Sequence, residues 1–130
     1  MNIQNRKQRK QYTMNNRKYD LEERLIDFVL ILDEVIEQLP NTRLSNHLAG
    51  QIVRSGTSPA LNYGEAQSAE SQKDFVHKKQ VILKELRETK ICLKIIIRKP
   101  LLKYEIVSHV LKENEELIAI FAQSVKTEKL

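Results

Sequence analysis

Tryptophan is absent from this sequence of 130 residues, and cysteine occurs once, at Cys92. Glycine and proline occur three times each. Each shortage excludes something. One cysteine cannot form an intramolecular disulfide, and a zinc site would need its other ligands elsewhere. So few turn formers leave little room for the many reversals of an all-β fold. No apolar run approaches the ~18 residues needed to span a bilayer. The longest candidates, Leu25–Leu32 and Ile91–Ile97, are interrupted by Asp27 and Lys94. The N-terminus is basic but lacks the apolar stretch of a signal peptide. A cytoplasmic location is the expectation.

What is present is ordinary for one folded domain: 41% apolar and 30% charged residues. A chain of this length buries roughly two-thirds of its unfolded surface. The net charge of +5 is unevenly spread. Arg6, Lys7, Arg9, Lys10, Arg17 and Lys18 lie in the first 18 residues without one acid, so the remaining 112 residues, with 16 bases and 17 acids, sum to −1. The basic arm, residues 1–16, is expected to be disordered. It has two readings, as contacts to RNA or DNA that weaken with salt or as a solubilising tail. Met14 offers a second translation start that would remove four of the six bases.

From residue 17 to 126 the pattern is helical. Leu21, Leu25, Phe28, Leu32, Val35 and Leu39 step by four and three, which predicts a helix over Tyr19–Leu39. Pro40 stops it, and Asn41 or Thr42 caps a second helix over Arg43–Ala66. Leu44, Leu48, Ile52 and Ser55 mark its inner stripe. Its many small residues predict close packing, and Pro59 predicts a kink or break. Ser71 with Asp74 resembles a capping box. A third helix follows over Gln72–Arg98, inward at Phe75, Lys79, Ile82, Leu86, Thr89, Leu93 and Ile96, with ion pairs Asp74–Lys78 and Lys84–Glu88. Pro100 ends it. The fourth covers Tyr104–Val125, inward at Val107, Val110, Leu111, Leu117, Ile118, Phe121 and Val125. Residues 127–130 are expected to fray, beginning at Lys126. The fold expectation is an all-α, antiparallel up-and-down four-helix bundle. The apolar surplus at Ile91, Ile95 and Ile96 exceeds one core and predicts contacts between copies, in a ring-like homo-oligomer.

Chemistry is sparse. His47, His77 and His109 have no metal-ligand spacing, and ExxH pairs are missing. Glu65, Glu70 and Asp74 crowd the second turn without a partner base, so caps and ion pairs are the simpler reading. Cys92 sits in an apolar run as a buried hydrophobe. No catalytic residue, cofactor, metal or small-molecule substrate is inferred, and the expectation is a protein that is not an enzyme.

The runs Arg54-Ser55-Gly56-Thr57-Ser58 and Asn62-Tyr63-Gly64-Glu65-Ala66 resemble the signature of the bacterial "four helix bundle protein" family. So do Ala69-Glu70-Ser71, Asp74-Phe75, Lys79, Leu83-Lys84-Glu85-Leu86 and Glu88, with Leu39-Pro40-Asn41-Thr42-Arg43 as the first turn. The resemblance spans about Arg17 to Ala122. It implies kinship with proteins encoded by intervening sequences in bacterial large-subunit ribosomal RNA genes. It also implies kinship with the accessory variability determinant proteins of diversity-generating retroelements. Those form pentamers, carry basic surfaces and bind nucleic acid and a reverse transcriptase. By resemblance, a homopentamer with RNA, DNA or a reverse transcriptase as partner is expected here; a protein adaptor without a nucleic-acid role is the alternative. The residues Ser58, Pro59, Asn62, Glu65, Glu70, Asp74, Lys79, Glu85 and Glu88 then have two readings, as internal bracing or as the lip of the oligomer.

Overall fold

A computed structural model describes residues 20–69 and 71–129. Four helices fill these residues: α1 Leu21–Ile36, α2 Arg43–Ala66, α3 Gln72–Arg98 and α4 Tyr104–Lys129. Three starts are capped by side chains that accept the backbone N–H groups helices leave unpaired. Asp20 Oδ1 accepts from Glu23 N, Thr42 Oγ1 from Ser45 N and Ser71 Oγ from Asp74 N, each at 3.1 Å. α1 packs on α2 and α4, and α3 packs on the same two, so α1 and α3 stand at diagonal corners. Gln51 meets Glu88, and Glu65 meets Lys78. Lys79 meets Ser124, and Lys90 meets Glu115. In both of these pairs of helices one partner's number rises as the other falls, so α2 and α4 each run antiparallel to α3.

The core is aliphatic with two phenylalanines. Leu25, Phe28, Ile52, Ile82, Leu86, Leu93, Ile96, Val107, Leu117 and Phe121 are wholly buried. Fully burying such a side chain stabilises by about 1.5–3 kcal/mol. Tyr63 closes one layer edge-on to Phe121, with ring centroids 6.0 Å apart. One polar residue enters the layers of α4: Asn114, wholly buried, donates Nδ2 to the Leu86 carbonyl at 3.1 Å. Its Oδ1 has no partner.

The helix ends and stripes depart from the sequence expectations at definite places. α1 stops at Ile36 rather than Leu39. There the chain tightens into shorter turns, with Gln38 N bonding Val35 O and Leu39 N bonding Ile36 O, before Pro40. α2 runs unbroken through Pro59, where a kink or break was expected. The proline ring is buried, and side chains brace the turns around it: Thr57 Oγ1 donates to Val53 O at 2.7 Å and Asn62 Nδ2 to Ser58 O at 3.0 Å. Packing overrides the lost hydrogen bond. α4 continues past Val125 to Lys129, where fraying was expected. Thr127 Oγ1 ties back to Gln123 O at 2.9 Å in that last turn. Leu44 was assigned inward but is exposed, one residue into α2 where the bundle ends. Lys78 reaches Glu65 instead of Asp74, and Glu88 is taken by Arg54.

Gly56 sets how near α1 and α2 can come. A Cβ there would collide with Cδ2 of Leu32, which is itself buried in the core. Gly50, on the same helix, has open space. Gly56→Ala is therefore expected to destabilise the fold by about 1 kcal/mol, an overpacking cost of roughly 1–3 kcal/mol less the helix gain. Gly50→Ala should stabilise by up to about 1 kcal/mol. Urea unfolding of both variants reads the opposite signs.

Candidate nucleic-acid interface

The family motif residues lie along the seam between α2 and α3. Arg54 Nη2 donates to Glu88 at 2.7 Å and Nη1 to Glu85 at 3.2 Å. The Glu88 hydrogen bond, then the Glu85 charge, raise the Arg54 pKa above its ordinary value. Beneath this exposed clamp, Ser55 Oγ and Thr89 Oγ1 lie 2.8 Å apart, both wholly buried, and Thr89 Oγ1 also donates to Glu85 O at 3.0 Å. Glu65 pairs with Lys78 at 2.8 Å. Asn62 bonds Ser58 through its hydroxyl as well as its carbonyl. Lys79 is buried, with Nζ bonded to Ser124 Oγ at 2.8 Å and over the Phe75 ring at 4.2 Å. Asp74 takes the Ser71 cap. Glu70 lies outside the described residues. Cys92 is buried beside this seam; burial, then the Glu88 charge, push its thiol pKa up, which disfavours the reactive thiolate.

The outside of the bundle is electrically divided. Residues 20–37 carry the acids Asp20, Glu22, Glu23, Asp27, Asp33, Glu34 and Glu37 and one base, Arg24, which Glu113 of α4 binds at 2.8 Å. α3 carries eight bases against three acids. Glu85 and Glu88, two of those acids, are held by Arg54. With about 100° per residue, Lys84, Arg87, Ile91, Lys94, Ile95 and Arg98 share the solvent side of α3. The charge continues into the turn after α3, where Lys99 and Lys103 are exposed, as is Arg43 at the start of α2, which the antiparallel pairing puts at the same end. Tyr104 follows directly, 58% exposed, the largest exposure of any aromatic described. Bases around an exposed ring are what binds phosphates and stacks a base.

Residues 17–123 match the family described as 23S rRNA-intervening sequence protein. The chain belongs to that family. A similar fold is seen in a crystal structure of a protein of unknown function, from the S23 ribosomal protein family of Bacteroides thetaiotaomicron. It is 28% identical, covers 81% of this chain and 97% of that chain, and superposes with a TM-score of 0.74. No curated protein matches the chain.

The sequence-derived contacts are redistributed. Arg6, Lys7, Arg9, Lys10, Arg17 and Lys18 lie outside the described residues. Ile91 and Ile95 are 57% and 39% exposed, whereas Ile96, expected at the contact between copies, is wholly buried in this chain's own core. One residue, 100° of rotation, separates outside from inside. The basic end, Arg43, Arg98, Lys99, Lys103 and Tyr104, was missed because everything after the arm was summed as one near-neutral body. Summing the charge helix by helix would have shown it.

The seam makes a double-mutant prediction. Thr89→Val leaves the Ser55 hydroxyl buried without a partner and should destabilise by about 1–3 kcal/mol. Ser55→Ala leaves Thr89 bonded to Glu85 O and should cost less, about 0.5–1.5 kcal/mol. In the Thr89→Val background, Ser55→Ala should cost almost nothing, as read by denaturant unfolding.

Proposed function

We propose that this chain is a non-enzymatic, homo-oligomeric helical-bundle scaffold that binds nucleic acid at the end of the bundle where α3 turns into α4. The basic end around Tyr104 carries the reading. Arg43, Arg98, Lys99 and Lys103 supply a cluster of exposed cations for phosphates, and the ring supplies a platform for an unstacked base. The family description, which refers to 23S rRNA, points the same way. The motif carboxylates Glu65, Glu85 and Glu88 are engaged in ion pairs that hold α2 to α3, which suits a scaffold. The arm adds its bases to the same task. A reverse transcriptase is the further partner that the retroelement resemblance brings in.

Labelled single-stranded RNA and DNA, titrated across a salt series, test this. Affinity should fall steeply with salt, and Lys99→Ala with Lys103→Ala should flatten the log–log slope by about 0.7 for each phosphate no longer neutralised. Tyr104→Ala should weaken single-strand binding by about 1–3 kcal/mol at constant salt. Deleting residues 1–13 measures the arm's share. No binding at low salt by the intact chain would replace this reading with that of a protein adaptor.

A further inference from the structure

We infer that copies of this chain join side to side, the acidic outer face of α1 in one copy against the basic outer face of α3 in the next. This rests on the oligomeric half of the proposed function and adds the interface to it.

The two faces match in charge, spacing and shape. On α1 the solvent side reads Glu23, Asp27, Leu30, Asp33, Glu34, Glu37. On α3 it reads Lys84, Arg87, Glu88, Ile91, Lys94, Ile95, Arg98, with Glu88 held by Arg54 of α2. Both stripes extend over 14 residue steps, about 21 Å of helix. Each has an exposed aliphatic residue at its midpoint, Leu30 at 39% and Ile91 at 57%. Charges of opposite sign stand on either side of the two midpoints. Ile91 also borders a shallow groove with Leu83, Arg87 and, from α4, Val125, which is a seat for the neighbour's Leu30. Apolar centres ringed by charge are the anatomy of a protein interface, and the complementary signs select this face over its own copy.

The stripes occupy diagonal corners of one bundle, so each copy offers both halves on opposite sides. Such a heterologous contact propagates from copy to copy and closes into a ring when the rotation allows. Arg98 ends the stripe, and the rest of the basic end, at Arg43, Lys99, Lys103 and Tyr104, lies beyond it and stays open.

Sedimentation velocity on the full chain tests the interface by charge reversal and rescue. Asp27→Lys with Asp33→Lys sets two bases beside Leu30, against the bases beside Ile91. Arg87→Glu with Lys94→Glu sets two acids beside Ile91, against the acids beside Leu30. Matched about the midpoints, these pairs oppose each other whichever way the helices run. The unaltered chain should sediment as an oligomer that loosens with salt, and each double variant should fall to the 15.2 kDa monomer with its circular dichroism retained. The quadruple variant should reassemble, which loss of folding or generic repulsion cannot imitate. An oligomer indifferent to both reversals, or one that the quadruple variant fails to restore, overturns this interface alone. An unaltered chain that is monomeric at low salt overturns the oligomeric reading with it. RNA binding lost in the Arg87→Glu, Lys94→Glu variant with assembly intact gives the stripe to nucleic acid and also overturns the interface.

Discussion

The architecture depends on α2 being gripped from two sides. On one side Gly56 lets Leu32 of α1 settle against the backbone. On the other, Ser55 and Arg54 fasten to Thr89, Glu85 and Glu88 of α3. These are consecutive residues, so one turn of helix faces both neighbours. Small side chains permit the first contact and polar ones the second. Because α2 bridges α1 and α3, it also fixes the separation and rotation of the two most highly charged helices. Outside, α4 performs the complementary task, binding Arg24 of α1 through Glu113 and Lys90 of α3 through Glu115.

That frame explains why charge is informative here although the total is modest. Opposite charges summed along the chain cancel, but in space they are held apart by the width of a bundle. An electric field acts on position, so a molecule with little net charge after its first residues can still present one anionic and one cationic side. The exposed aliphatics Leu30, Ile91 and Ile95 sit within these sides. They give short-range adhesion where electrostatics gives orientation.

Much of the fold was legible because heptad-like spacing, prolines and caps agree with one another. α2 and α3 begin and end where the sequence predicts them. The misses have local causes. Pro59 reads as a break, yet burial and the flanking Thr57 and Asn62 hydrogen bonds keep α2 continuous. Asn114 breaks the apolar pattern of α4, and a single sequence gives no sign that a buried carbonyl, Leu86 O, awaits it. Ile96 and Ile95 are adjacent in a run of isoleucines, where hydrophobicity alone cannot assign a side. Of the candidate site, the ion-pair role of Glu65, Glu85 and Glu88 was foreseeable in kind but not in partner. The Tyr104 end was invisible to a whole-chain charge count.

Asn114 has a larger meaning than its one hydrogen bond. Leaving Oδ1 without a protein partner in an apolar layer costs about 1–3 kcal/mol, so the residue is a net expense in stability. In return, α4 has a single place to stand: a slip of one turn along α3 would strand the amide among hydrocarbon. An all-aliphatic interior of this size tolerates such slippage. With the amide in place, every external group keeps one address, and the pattern of charge that wraps the molecule is as well defined as its interior.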